Sequence, residues 1–153
     1  MEDKAKINLI GMYLLTTLVI LITMPIYTYL NWTDNLSKLI TALVYVSCAG
    51  GLGGTIYSIR GFYKAHAGDN FELKWLWWYI FRPPISIVIG AIAYFLIVGG
   101  LLSVGNISEA NYSKSVMFYC AISFLAGFTF SRFTDKLEDL SDTLFSKKEE
   151  DKK

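Results

Sequence analysis

The chain contains 153 residues, of which 54% are hydrophobic and 16% aromatic, and it has a formal net charge of +1. This apolar content is too high for a soluble domain of that length, so the composition excludes an ordinary water-soluble protein and indicates a chain solvated by lipid. The small net charge says little by itself, because the basic residues are unevenly distributed along the chain.

Four segments of the chain contain no Asp, Glu, Lys or Arg. They cover residues 7–33, 39–59, 83–108 and 115–131. Because a helix of about 20 apolar residues crosses a bilayer once, each segment predicts one span, and the fourth is only just long enough. We therefore predict an all-α, integral membrane four-helix bundle over residues 1–132. Its spans are expected at about 8–31, 39–59, 83–104 and 115–132.

The distribution of basic residues predicts how the chain is threaded. If the N-terminus is cytoplasmic, twelve of the fourteen Lys and Arg residues fall on the inner side, and only Lys38 and Lys114 fall outside. An excess of basic residues is typical of the cytoplasmic side. We expect a multi-pass protein of the bacterial inner membrane with both termini in the cytoplasm. The first span is expected to be retained, because it is longer than the apolar part of a signal peptide and no A-x-A-like site follows it.

Glycines are concentrated in the middle of the second span, in the sequence SCAGGLGGT that starts at residue 47. In lipid, helices associate by close backbone approach, which small residues at i and i+4 permit. Spans three and four carry similar stripes of small residues at this spacing. Because three spans carry such stripes, we predict that some of the stripes contact other copies of the chain in a homo-oligomer. The alternative is a helix broken at the glycines, as in the ion-binding segments of transporters. The candidate helix-packing residues are Ser47, Gly50, Gly51, Gly53, Gly54, Ser86, Gly90, Ala93, Ser123, Gly127 and Ser131.

The predicted inner loop, residues 60–82, leads into an aromatic and basic segment, KWLWWYIFRPP. Such rings favour headgroup depth, so we predict a short interfacial segment before span three, with Pro83 and Pro84 in the first turn of that span. Arginines at the span edges are expected to extend to the headgroups. A cation–π or nucleic-acid-binding role for this cluster is the alternative, although no direct nucleic-acid binding is expected. The candidate interface anchors are Trp75, Trp77, Trp78, Arg60, Arg82 and Arg132.

The chain beyond the fourth span is amphipathic. Phe133, Leu137, Leu140 and Leu144 recur at helical spacing, so we predict that span four extends into the cytoplasm as a helix over residues 133–145. A charged, disordered tail is expected at 146–153. The apolar stripe must be covered by the inner loop, by the same helix of another copy, by the membrane or by a soluble partner. Acidic residues between the leucines disfavour anionic lipid, so oligomer contact or a cytoplasmic protein partner is preferred.

Residue patterns for catalysis or cofactor binding are missing. A catalytic nucleophile needs a neighbouring base, and the predicted spans contain neither His nor Lys. His66 is the only histidine and has no clustered Cys or carboxylate, so neither a metal nor a cofactor is expected. The GGLGG sequence lacks the preceding strand of a dinucleotide-binding loop. We predict that the protein is not an enzyme.

Two segments, WWYIFRPPISIVIGAIAYFLIVGGLL and FLAGFTFSRFTDKLEDL, resemble a pattern in small bacterial inner-membrane proteins of unassigned function. In that pattern an Arg-Pro-led span precedes a last span that ends in Ala-Gly-Phe and an amphipathic helix. The resemblance covers the second half of the chain. In size and topology the chain is also similar to the four-span membrane subunits of bacterial anti-phage defence systems. This similarity implies an oligomer that perturbs the membrane or anchors a cytoplasmic sensor.

Three functions fit these features. The first is a non-enzymatic, oligomeric pore-forming or membrane-perturbing subunit, with anti-phage defence as its context. The second is a scaffold that holds a cytoplasmic partner through residues 133–145. The third and weaker one is a small-solute transporter, for which internal duplication is expected. The uncharged polar residues that would line a passage, or else bond back to their own helices, are Thr16, Thr17, Thr23, Ser47, Thr55, Ser86 and Ser123.

Overall fold

The computed structural model describes residues 2–31, 38–67, 73–101 and 112–145, and the regular structure in these ranges is entirely helical. The prediction of an all-α chain is confirmed. The predicted outer loops, the middle of the inner loop and the tail at 146–153 lie outside the described residues. The elements are α1 (Glu2–Asn31), α2 (Lys38–Ala67), a short 3-10 helix (Leu73–Trp75), α3 (Leu76–Val98), α4 (Tyr112–Phe128) and α5 (Phe130–Phe145).

Three of these helices, α1, α2 and α3, are each long and apolar enough to cross a membrane. A fourth crossing is available when α4 and α5 are counted together. The 17 residues of α4 span about 26 Å at 1.5 Å per residue, which is close to the thickness of the hydrocarbon core. The chain therefore has the helices of a multi-pass membrane protein.

The second helix lies at the centre of the bundle and contacts α1, α3 and α4. Near the start of α2, Ala42 packs in one cluster with Tyr94 from the end of α3. Further along α2, Gly50 lies against Gly90 from the middle of α3. These pairings show that α2 and α3 run antiparallel.

The fourth helix runs parallel to α2. Val116 packs against the cluster that contains Ala42, and the Phe128 ring meets the Tyr57 ring with centroids 5.5 Å apart. These two contacts cover 15 residues of α2, which is about 22 Å along its axis. The helix α4 thus passes alongside most of the apolar part of α2.

The predicted inner loop, residues 60–82, is mostly helical. The helix α2 continues through Arg60 to Ala67, and α3 begins at Leu76 rather than at Pro83. Polar residues mark the end of an apolar segment in the sequence, but they do not interrupt the backbone hydrogen bonds of a helix. In the extension of α2, Phe62 packs edge-on against Tyr79 with ring centroids 5.9 Å apart, which holds it against α3.

Two prolines lie inside α3, and not in its first turn as predicted. A proline has no N–H, so the carbonyl four residues earlier loses its helical partner. Pro84 therefore frees the carbonyl of Ile80, and the Tyr13 hydroxyl from α1 donates a hydrogen bond to this oxygen at 3.0 Å. The proline thus creates a polar contact between α1 and α3.

The third helix ends at Val98, earlier than the predicted boundary at residue 104. The Leu101 N–H donates to the Leu96 carbonyl at 2.9 Å, and the Gly100 N–H donates to the Ile97 carbonyl at 3.0 Å. Gly100 has a φ of 75°, a left-handed conformation that glycine adopts without a steric penalty. These two bonds form a Schellman motif, which explains the helix end.

The last two helices do not form the continuous extension that was predicted. They are bent by 102° at Thr129. The Thr129 N–H and hydroxyl both donate to the Leu125 carbonyl, at 2.8 and 2.7 Å. The Thr129 carbonyl then accepts the first bond of α5, from the Phe133 N–H at 3.1 Å. A threonine hydroxyl bonded back in this way often accompanies a helix bend. The amphipathic segment is helical to Phe145, but it turns away from α4.

Candidate functional site

The glycine-rich centre of α2 is the point where three helix backbones approach one another. A Cβ added at Gly50 would lie 2.6 Å from the Cα of Gly90, and one at Gly53 would overlap the carbonyl oxygen of Phe124. Gly127 of α4 faces the carbonyl of Gly50. The helix α2 is continuous through this region, so the alternative of a helix broken at the glycines is wrong.

The other predicted packing residues are divided between buried and accessible positions. The Ser123 hydroxyl donates to the Gly90 carbonyl at 3.0 Å and joins α4 to α3. Ser47 is half-buried beside α1, and Ser131 is exposed at the bend. The buried contacts lie within one chain, so the small stripes do not by themselves require a second copy. The buried members of this set are Gly51, Gly54, Ser86, Ala93 and Ser123.

Three of the threonines considered for a passage form hydrogen bonds to their own helices. The hydroxyls of Thr17 and Thr55 each donate to the carbonyl four residues earlier, at 2.8 and 2.7 Å. The Thr23 hydroxyl donates to the carbonyl three residues earlier, at 3.2 Å. Such bonds satisfy a hydroxyl group in lipid without water. These residues therefore adopt the second of the two roles predicted for them.

Arg82, one of the predicted interface anchors, is buried, with 9% of its surface exposed. Because α3 begins at Leu76, Arg82 lies nearly two turns inside the helix. Its guanidinium carbon lies 4.1 Å from the ring centroid of Tyr57, 4.8 Å from that of Trp78 and 5.5 Å from that of Phe130. Aromatic faces attract cations at these distances. We call these three rings the aromatic cage, and it matches the cation–π alternative considered for this segment.

The aromatic cage does not fully satisfy the polar atoms of Arg82. Its Nη2 donates to the Phe128 carbonyl over a long 3.4 Å, and its Nε has no hydrogen-bond partner. No carboxylate in the described ranges is paired with Arg82. Lys136 and Asp139 form an ion pair on the surface of α5. Burying a charge without a counter-charge is costly. Arg82 is therefore a buried cation whose hydrogen-bonding capacity is only partly used.

Two cavities flank the aromatic cage. The first has a volume of about 350 Å³, opens at the bend between α4 and α5, and includes Arg82 and Arg132 in its wall. The second has a volume of about 530 Å³ and includes Arg60 and Lys64. Tyr57 lines both cavities. Basic and aromatic side chains are thus brought together at one end of the bundle.

Four of the other five predicted anchors are on the surface. Trp75 and Trp77 have 52% and 64% of their surfaces exposed, and Arg60 and Arg132 are also exposed. Trp78 is half-buried because it forms one wall of the aromatic cage. Of the six candidate anchors, Arg82 is the one that the protein itself encloses.

The apolar stripe of α5 begins on the side that faces the other helices. Phe130 and Phe133 pack against the buried cluster of Ile89, Ala93 and Ala126. Further along the stripe, burial decreases. Leu137 and Leu140 are half-buried, and Leu144 and Phe145 have 54% and 81% of their surfaces exposed.

The described residues offer little for metal or redox chemistry. No group of three or more His, Cys, Asp or Glu side chains that could hold a metal ion occurs in the described ranges. Cys48 and Cys120 are free thiols inside the bundle. The ring of His66 stacks on that of Phe62, with centroids 6.2 Å apart. The absence of enzymatic activity remains a prediction.

Three residues of the site were not singled out in the sequence. Tyr57, Phe128 and Phe130 meet Arg82 from α2, from the end of α4 and from the start of α5. No local spacing connects them, because the contact depends on the packing of three helices and on the bend. The nearest signal was the unusual density of aromatic residues beside Arg82.

Comparison with known proteins adds no assignment. No protein-family model, curated protein or solved structure matches the chain. Its function is therefore inferred from its own residues.

Proposed function

We propose that this chain is a non-enzymatic subunit of the bacterial inner membrane that perturbs the bilayer through its C-terminal helix. The observation that supports this proposal is the 102° bend between α4 and α5. If α4 runs along the membrane normal, α5 runs nearly parallel to the membrane surface. An amphipathic helix in that orientation inserts its apolar side into one leaflet.

The packing of α5 fits this orientation. Phe130 and Phe133 contact a cluster that includes Ile89, which lies seven residues beyond Arg82 along α3 and therefore deeper in the span. The apolar side of α5 is thus turned toward the hydrocarbon. Leu140 and Leu144 are on the same side, beyond the edge of the bundle, where lipid would cover them. This favours the membrane over a protein partner as the cover for the stripe.

The proposed topology has four crossings with both termini in the cytoplasm. The register of α4 along α2, from Val116 to Phe128, supports a complete crossing. The basic residues Arg60, Lys64 and Arg132 are then gathered on the cytoplasmic side, in agreement with the positive-inside rule.

A pore would require several copies of the chain. Within one chain, Thr17 and Thr55 bond to their own helices, and the glycine contacts close the centre of the bundle. The outward side of α1 is available for assembly and carries Thr16 and Thr23, both exposed. We propose this side of α1 as the contact in a homo-oligomer, with anti-phage defence as the biological context.

A second candidate is a scaffold for a cytoplasmic protein. The side of α5 opposite its apolar stripe carries four exposed carboxylates, which a basic partner surface would complement. In this case the membrane covers the leucines, and the partner contacts the acidic side. These carboxylates belong to Asp135, Glu138, Asp139 and Asp142.

Induced expression in cells loaded with a membrane-potential dye separates the two functions. Depolarisation by the chain alone is expected if α5 perturbs the membrane. An unchanged potential at a membrane-inserted expression level would contradict membrane perturbation and favour the scaffold. Fluorescent-protein fusion to the N-terminus provides the expression control.

A further inference from the structure

Arg82 has an unsatisfied charge next to an open cavity. It is 91% buried, its Nε lacks a partner, and no described carboxylate neutralises it. The aromatic cage provides attraction from ring faces but no negative charge. A buried guanidinium of this kind is stabilised when an anion with several acceptor oxygens binds its free N–H groups.

The bend supplies further donors in the same place. The first three N–H groups of α5 belong to Phe130, Ser131 and Arg132, and the first turn of a helix has no intrahelical acceptors for such groups. The Thr129 hydroxyl donates its hydrogen bond to the Leu125 carbonyl in α4. The start of a helix also carries partial positive charge, which favours anions.

These groups line one cavity. Its volume of about 350 Å³ is bounded by Arg82 on one side and by the start of α5, including Ser131 and Arg132, on the other. The cavity wall thus provides two guanidinium groups, the hydroxyl of Ser131 and the N–H groups at the start of α5. Donors of these kinds typically bind a phosphate group. No group with a negative side chain lines this cavity.

We infer that the α4–α5 bend binds a phosphate group, held between Arg82 and Arg132. Phospholipid headgroups and soluble phosphate compounds share this chemistry. The position of the cavity, at the end of the bundle where the exposed Trp75 and Trp77 lie, suits a headgroup of the inner leaflet. A bound phosphate would neutralise Arg82 and hold α5 at its bent angle. This site does not depend on whether the chain depolarises the membrane.

Native mass spectrometry of the purified full chain in neutral detergent tests the site. The chain is titrated with phosphatidylglycerol and with diacylglycerol of the same acyl chains, which lacks the phosphate. We expect saturable binding of one phosphatidylglycerol, with an affinity at least about tenfold higher than that for diacylglycerol. Equal binding of the two lipids would overturn the proposal.

Competition with inorganic phosphate identifies the source of the phosphate group. Displacement of phosphatidylglycerol at millimolar phosphate would assign the site to soluble phosphate compounds. Retention of the lipid would assign it to a headgroup. Both outcomes support a phosphate site, because both require selectivity over diacylglycerol.

Three variants make the test specific to the bend. Arg132→Gln removes an exposed charge, so the fold is preserved, and it should weaken phosphatidylglycerol binding about tenfold. Arg60→Gln removes the same charge from the neighbouring cavity and should change binding less than about twofold, as expected for a screened surface charge. An equal loss in both variants would overturn the proposal and indicate general attraction of anionic lipid. Arg82→Gln should abolish the preference for phosphatidylglycerol over diacylglycerol. If Arg82→Gln does not fold, the result for Arg132→Gln still decides the test.

Discussion

At the scale of single residues, Gly53 shows how closely these helices are packed. A side chain there would overlap the backbone of Phe124, which cannot move without shifting α4. In contrast, a Cβ at Gly61 would lie 3.6 Å from Tyr79, which is an ordinary contact. Both glycines are in α2, so the pair separates a packing effect from a change in helix propensity.

We predict that Gly53→Ala destabilises the chain by about 1–3 kcal/mol, because overpacking forces two backbones apart. Gly61→Ala should be neutral or stabilising by up to about 1 kcal/mol, because alanine is the better helix former. Thermal unfolding in detergent micelles measures both. Equal stability of the two variants would contradict the close contact between α2 and α4.

The hydrogen bond from Tyr13 to Ile80 allows a second test at this scale. Tyr13→Phe removes the donor and leaves the freed carbonyl beside Pro84 without this partner. We expect a loss of about 0.5–1.5 kcal/mol in unfolding free energy. Tyr63→Phe alters a side chain that is 73% exposed and should have almost no effect. If the two variants unfold alike, the bond does not hold α1 to α3.

At the scale of elements, α5 is the part whose direction matters most for function. Leu140 lies on its apolar side, and Thr143 lies on its polar side. In the proposed orientation, an aspartate at position 140 would have to enter the hydrocarbon, whereas one at position 143 would remain in water. The two substitutions introduce the same charge, three residues apart.

We predict that Leu140→Asp abolishes depolarisation in the dye assay, whereas Thr143→Asp retains it. Membrane insertion of the four spans should be unchanged in both variants, as checked by recovery in the membrane fraction. Depolarisation that persists in Leu140→Asp would mean that α5 does not act through its apolar side.

The sequence predicted which segments are helical more accurately than it predicted where each helix begins and ends. Hydropathy correctly indicated helices in the four apolar segments, but α2 extends to Ala67 and α3 begins at Leu76. A polar residue marks the expected edge of an apolar span, but the backbone hydrogen bonds of the helix continue past it. The bend at Thr129 had no clear signal, because the nearest glycine, Gly127, lies inside α4 and no Pro is present there. The helical spacing of the leucines predicted an amphipathic helix but not its direction.

The candidate site was predicted only in part for the same reason. Trp78 and Arg82 are four residues apart in one helix, so their proximity follows from the sequence. Tyr57 and Phe130 belong to other helices, and their contact with Arg82 depends on how α2, α3 and α5 meet. The burial of Arg82 therefore required the packed structure.

At the scale of the whole molecule, α3 runs antiparallel to α2, α4 runs parallel to α2, and glycines form the point where these three helices meet. Gly50 and Gly90 join the antiparallel α2 and α3, and Gly127 joins α4 to the same point. This arrangement brings the basic residues of α2, α3 and α5 to one end of the bundle. The proposed topology places that end in the cytoplasm.

Fusions of a fluorescent protein to either terminus test this topology. Because the reporter fluoresces in the cytoplasm and not after unfolded export to the periplasm, both fusions should be fluorescent. A dark C-terminal fusion of normal abundance would indicate that α4 does not complete its crossing. Alkaline phosphatase fused at the same positions gives the opposite signal and serves as the control.

The most direct measurement is the depth of α5 in a reconstituted bilayer, from spin labels on single cysteines in a chain whose Cys48 and Cys120 are replaced by serine. Labels at positions 140 and 144 should be accessible to oxygen, which concentrates in lipid, and protected from a water-soluble nickel complex. Labels at positions 139 and 142 should show the reverse. Nickel access at position 140, or protection from both reagents as in a protein interface, would contradict the insertion of α5 into the membrane surface.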